Sequence, residues 1–231
     1  MASTAALAGP PFLTDDPEPV DNGHWEIYGP LIEVEGHGFD YAGEAGVELN
    51  YGAAPGLQLS ANLPVAFAHD AGRTRAGTGN LSLSVKCRFL HDEAAGLTAA
   101  FYPEVTLPTA RHGLGNDKLT GFLPLWVQKD SGPWSVFGGG GLALNPGRGN
   151  RNYWSGGIAI TREVSTRLQL GIEAARQGAD TVGGQSSTSL GIGATYRLRG
   201  PFRLLASGGP TFEDGAKTAG FHAFVALGMD Y

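Results

Sequence analysis

The sequence has a single cysteine, Cys87, among 231 residues, so no internal disulfide framework can hold the chain together. In an alternating apolar stretch, that thiol reads as a small packing side chain. Charge is scarce as well. Asp, Glu, Lys and Arg make up 16% of the residues, against roughly 25% in an ordinary soluble domain, too few to cover a large water-facing surface. The 16 basic and 22 acidic side chains sum to −6, and a chain of that sign has no field to attract a polynucleotide. No run reaches the roughly 18 apolar residues of a membrane-spanning helix. If the chain crosses a membrane, it does so as a closed barrel, in which backbone polar groups are paired between strands.

The patterns of metal and phosphate chemistry are missing too. His24, His37, His69, His91, His112 and His222 have no zinc-ligand spacing. The compact His91-Asp92-Glu93 falls in an expected turn, and the glycines from Gly138 to Gly141 lie within an expected strand rather than opening a helix. No cofactor or metal is expected. Hydrolytic pairs such as Ser207 with His222, or His112 with Asp117, rest on nothing beyond proximity guessed from register, and the chain is not read as an enzyme.

What the sequence does hold is glycine, 37 residues, proline, 14, and a period-two pattern from Gly23 onward. Leu57, Leu59, Ala61, Leu63, Val65 and Phe67 alternate with Gln58, Ser60, Asn62, Pro64 and Ala66; Leu81, Leu83, Val85, Cys87 and Phe89 alternate with Ser82, Ser84, Lys86 and Arg88. Segments 97–107, 119–127, 134–144, 168–174, 190–198 and 221–231 follow the same rule. Val164, Leu168, Ile172 and Ala175 would also share a helix face, but Leu170 would then point the wrong way and Gly171 is a poor helix interior residue. That segment is read as a strand.

Hairpin register tests this reading, because paired strands must put their apolar faces on one side. Centring a turn on Gly200 sets Leu198 against Phe202, Tyr196 against Leu204 and Arg197 against Arg203. A turn centred on Ala54 sets Tyr51 against Leu57, and one on Val164 sets Ile160 against Leu168. Connections alternate in length. Short ones are expected at 52–56, 91–96, 129–133, 163–165 and 199–201, long ones at 68–78, 108–118, 145–152, 177–187 and 209–219. Short turns at one end and long loops at the other are the habit of barrels with periplasmic turns and extracellular loops. The fold class is therefore all-β, an antiparallel up-and-down transmembrane β-barrel of about twelve strands, over residues 23–231 as one domain.

Aromatics gather near strand ends, as rings at membrane interfaces do: Tyr51, Phe89, Trp134, Tyr196, Phe202 and Tyr231 at the turn end, Phe67, Trp154 and Phe221 at the other. The polar face, turned inward, gives the candidate lumen residues Glu44, Glu48, Asn62, Lys86, Arg88, Glu104, Arg167, Glu173, Arg197, Arg203 and His222, with Asn50, Gln58 and Asp230 beside them. These either filter solutes with a transverse field or pair with one another and fill the bore. Arg197 facing Arg203 is unfavourable and demands an acidic side chain or a bound anion nearby. Pro64, Pro103 and Pro124 suit strand kinks, which either open a side path or only relieve strain.

Residues 1–22 stand apart. Ala5-Ala6-Leu7-Ala8 before Gly9 resembles the end of a secretory signal peptide, or equally an Ala-rich leader. The stretch Pro11-Phe12-Leu13-Thr14-Asp15-Asp16-Pro17-Glu18-Pro19 is extended by its X-Pro bonds, and either plugs the barrel or hangs in the periplasm.

Together with His24-Trp25-Glu26, that stretch resembles the start of the outer-membrane transporter-like family of the MetA pathway of phenol degradation. The resemblance implies localisation in a bacterial outer membrane and passive uptake of small molecules, hydrophobic or aromatic ones included. Its implied partners are outer-membrane lipid, a small solute and the barrel-assembly machinery, and it brings no catalytic residues; the charge balance already leaves no nucleic acid among the partners. The final strand, ending Val225, Leu227, Met229, Tyr231, resembles the terminal strand by which that machinery selects its clients. The alternative is a closed structural or partner-binding barrel, favoured if Tyr102, Phe122 and Trp126 block the bore.

Overall fold

The computed structural model describes residues 11–215 and 218–231. The leader around Ala5–Ala8 lies outside the described residues. The elements are β1 (Trp25–His37), β2 (Asp40–Ala54), β3 (Leu57–Asp70), β4 (Arg73–Thr78), β5 (Leu81–Asp92), β6 (Leu97–Phe101), β7 (Glu104–Leu107), β8 (Thr120–Ser131), β9 (Trp134–Leu144), β10 (Tyr153–Glu163), β11 (Leu168–Gln177), β12 (Ser187–Arg197), β13 (Phe202–Glu213) and β14 (Gly220–Asp230). Every described pairing is antiparallel, and β1 pairs with β14, closing the sheet on itself.

Two wall strands are each split. β4 and β5 both lie against β3 and are separated at Gly79-Asn80; β6 and β7 both lie between β5 and β8 and are separated at Tyr102-Pro103. Counted as walls, the segments make a 12-strand closed barrel. The splits do not open it. Pro103 lacks an N–H, but its carbonyl oxygen accepts from the Val85 N–H at 3.1 Å, and the Tyr102 N–H donates to Pro124 at 3.2 Å. The carbonyl oxygen of Pro64 accepts from Gly79 at 2.9 Å. The prolines bend the wall without interrupting hydrogen bonding across it.

Of the three hairpins, the one at Gly200 forms as expected, with Arg197 opposite Arg203 and Tyr196 opposite Leu204. The other two are shifted. Tyr51 faces Leu59 rather than Leu57, with a bulge between Gly52 and Ala54, and Ile160 faces Ile172 rather than Leu168. Both shifts are even, so the apolar faces still match; a one-residue slip would have turned every side chain over. At the end expected to carry long loops, 68–78 is not a loop: β3 and β4 run up to a tight turn at Ala71 and Gly72, both at positive φ, as a two-residue hairpin turn requires. The connection between β1 and β2 is also tight, with Gly38 at φ 64°. At about 3.3 Å per residue, the 13 to 15 residues of β1, β2 and β3 exceed the 9–11 needed to span a bilayer, so this corner projects above the membrane.

The two faces of the wall are inverted relative to a soluble protein. Leu63, Val65, Leu125, Ile158, Ile172 and Ile192 are exposed outward, while Asn50, Gln58, Lys86, Gln128, Glu173 and Arg203 are buried inside. A water-soluble barrel would need the opposite arrangement. Ile192, 72% exposed in mid-strand, faces lipid, and Ile192→Lys is expected to cost about 2–4 kcal/mol in urea unfolding from lipid vesicles. Unfolding free energy within error of the parent would place this position outside the hydrocarbon.

Candidate functional site

The lumen is occupied by the chain's own N-terminal segment. At the short-turn end the Gly23 N–H donates to the Gly52 carbonyl oxygen at 2.7 Å and the Val20 N–H to Gln58 Oε1 at 2.8 Å. A Cβ on Gly52 would lie 2.0 Å from the Asp21 carbonyl oxygen, so only glycine lets the segment turn inward here. Further in, Glu18 pairs with Arg88 at 2.7 Å, and Lys86 Nζ lies 3.2 Å from Asp15 and 3.7 Å from Asp16. Lys86 also donates to the Glu18 carbonyl oxygen and stands over the Tyr102 ring, 4.7 Å from its centre. Glu173 accepts the Leu13 and Thr14 N–H groups. Phe12 enters a slot between Gly171 and Gly193, where a Cβ would stand 2.8 and 2.6 Å from its ring, and the Pro11 carbonyl oxygen accepts from Ser207 Oγ. Residues Asp16 to Val20 are buried. Extended X-Pro backbone cannot pair with itself, so its polar groups take partners from the wall.

Above this plug three cavities adjoin. A vestibule of about 570 Å³, walled by Glu35, Asp70, Arg75 and Glu213, shares Glu35, Ala42 and Ala68 with an upper cavity of about 590 Å³. The upper cavity shares Phe12, Leu13, Glu33, Glu44 and Phe224 with a deeper one of about 410 Å³, which ends against Asp15, Tyr28 and Tyr102.

The expected lumen residues separate into groups. Glu44, Glu48, Asn62 and Glu104 line the deeper cavity, and Glu44 and His222 the upper one. Lys86, Arg88 and Glu173 hold the plug. Arg203 is buried with Glu26 and the Tyr28 hydroxyl, the latter at 2.8 Å, and also pairs with the half-exposed Asp230, which supplies the acid that the facing Arg197 demands. Arg197 itself is part-buried at the turn end. Arg167 is a correction: with the turn displaced toward the C-terminus it lies between β10 and β11, exposed and out of the lumen. Ser207 and His222 are engaged elsewhere, Ser207 with Pro11 and His222 Nδ1 with Thr211 Oγ1 at 3.3 Å. His112 and Asp117 sit exposed in the 108–119 connection. Among the described residues no group of three or more His, Cys, Asp and Glu could hold a metal ion.

Glu33 and Glu35 were not among the expected lumen residues. Pairing on both sides of β1 shifts between Tyr28 and Leu31, so Leu31 turns inward and Glu33 and Glu35 follow it. Gly29-Pro30 was the available signal, since proline inside a strand marks a bulge.

A family model described as the MetA-pathway of phenol degradation matches residues 32–227. No curated protein matches the sequence. Among solved structures, an outer membrane channel from Pseudomonas putida F1 superposes with a TM-score of 0.70 at 15% identity, covering 94% of this chain and 98% of its own. The translocator domain of the autotransporter NalP from Neisseria meningitidis gives 0.53 at 16% identity, covering 91% and 88%. The monoaromatic hydrocarbon channel CymD gives 0.51 at 7%, covering 90% and 88%. The fold is that of bacterial outer-membrane barrels, with outer-membrane lipid around the apolar belt.

Proposed function

We propose that this chain, which belongs to the MetA-pathway of phenol degradation family, is a passive outer-membrane channel for small molecules with a hydrophobic or aromatic body, gated by its own N-terminal segment. The reading is carried by the adjoining cavities, which lead inward from the loop end and stop at the plug. Phe12, Leu13 and Phe224 give this path apolar walls among its carboxylates. Solute that reaches Tyr28 and Tyr102 meets Asp15, and passage requires the plug to move.

Single-channel recording in planar bilayers tests this, with heat-modifiable gel migration as the control for folding. The full chain is expected to conduct weakly, and a variant lacking residues 1–20 to conduct steadily. A folded deletion variant that stays silent would end the channel reading. It would favour the alternative of a closed structural or partner-binding barrel, whose specific support is the set of buried ion pairs that hold the plug.

A further inference from the structure

The plug delivers an aromatic ring into a dent in the barrel wall. Thr161, Gly171, Gly193 and Ser207 lie directly opposite one another on four successive strands, β10 to β13, so their positions make one row across the inner face. The two central positions carry no side chain. Glycine inside a strand weakens it and marks a place where another group approaches the backbone closely; here that group is Phe12. A Cβ at Gly171 would stand 2.8 Å from the ring's Cζ, and one at Gly193 would stand 2.6 Å from Cε1. Phe137 borders the dent, its ring centre 6.4 Å from that of Phe12 and tilted by 46°, a separation at which aromatic pairs attract.

Polar groups flank the ring. Ser207 Oγ donates to the Pro11 carbonyl oxygen, and Glu173 accepts the Leu13 and Thr14 N–H groups. The wall thus recognises a ring together with one acceptor and one donor beside it. The dent also adjoins the inward path: Phe12 is only half-buried, and Phe12 and Ser207 both line the upper cavity of about 590 Å³. Solute that reaches this cavity meets the occupied dent.

The geometry points to the dent over Gly171 and Gly193 as a docking subsite for an uncharged monocyclic aromatic solute with a hydrogen-bonding arm, a subsite that Phe12 fills in the closed channel. The incoming ring displaces Phe12, its arm takes over Ser207 and Glu173, and the tip of the plug is released. An anionic arm does not fit, because Glu173 is 5% exposed and two carboxylates sharing so buried a place repel. This rests on the channel reading and deepens it, since solute entry and plug release become one exchange.

Hydrogen exchange at the Leu13 and Thr14 amides of the folded full chain in detergent, followed by NMR, tests it with benzamide and cyclohexanecarboxamide, probes that share one arm. Saturating benzamide is expected to speed exchange at both amides at least threefold, and cyclohexanecarboxamide, which makes no aromatic pair with Phe137, to do so less. No acceleration, or equal acceleration by the two, overturns the inference, and this measurement needs no substitution. Calorimetric titration then locates the site. Phe12→Ala, which empties the dent, is expected to bind benzamide at least tenfold tighter than the parent, and adding Gly193→Ala, whose Cβ refills it, to remove that gain. Unchanged affinity in folded Phe12→Ala, or a gain that survives Gly193→Ala, overturns it as well. Silence of the plug-deleted barrel in bilayers with the benzamide response intact would sink only the channel reading; current through that barrel with no benzamide response would sink only the subsite.

Discussion

Replacing Lys86 by Met is expected to free the N-terminal segment from the barrel. The Lys86 side chain is 3% exposed and that of Asp16 is 6%, so the ammonium is the counter-charge for carboxylates that water scarcely reaches. Removing one partner of a buried pair leaves the other charge uncompensated, at a cost of about 3–5 kcal/mol, or a factor of more than a hundred in the docked population. Methionine keeps most of the volume, so the loss falls on charge. Arg88, Glu173 and Gln58 still hold the segment, and the expected result is frequent release rather than permanent ejection. Faster protease cleavage near Leu13 and a raised open probability in bilayers would show it. Unchanged protection and unchanged current would mean that docking does not depend on this pair, and the gating account would lose its main support.

Arg203→Ala is expected to weaken the barrel itself, because its guanidinium ties together the strands at the closure seam. From β13 it reaches Glu26 on β1 and Asp230 on β14, and it donates to the Tyr28 hydroxyl. The Glu26 side chain is 5% exposed, and loss of its cation again costs about 3–5 kcal/mol. Arg197 stands directly opposite, and relief of that repulsion returns a few tenths of a kcal/mol to about 1 kcal/mol, which puts the net effect toward the lower end. Urea unfolding from vesicles followed by tryptophan fluorescence, and the temperature at which gel migration changes, measure it. Arg203→Lys keeps the charge but loses the planar fork that serves several acceptors at once, and should fall between the two. A midpoint equal to the parent's for Arg203→Ala would show that the seam is held by the ladder alone.

Most of the wall was legible in the sequence because its information is local. Alternation along residues 57–67 and 81–89 places lipid-facing and lumen-facing side chains from strand geometry alone, whatever the neighbours are. Register was legible only to parity. The hairpin at Gly200 was read correctly because its turn is tight, whereas those at Ala54 and Val164 moved by even steps that the pattern cannot detect. Arg167 was misplaced for that reason, and Glu33 and Glu35 were missed because one bulge at Gly29-Pro30 reverses the faces beyond it.

By itself, then, the sequence determined the class of the molecule: a closed, lipid-facing antiparallel barrel with a polar interior, since scarce charge, period-two faces and turns sorted by length all follow from chemistry within a few residues. Only the tertiary structure decided what the interior is used for. The acidic, proline-rich segment at 11–19 suits either a plug or a free tail by composition. Its place is settled by contacts far apart along the chain, Glu18 with Arg88 and Thr14 with Glu173. Those contacts engage Lys86 and Arg88 and leave Glu33, Glu35 and Glu44 facing open space. Which charges are cancelled and which remain to meet a solute depends on how the closed wall brings distant strands around one axis, and no local pattern carries that.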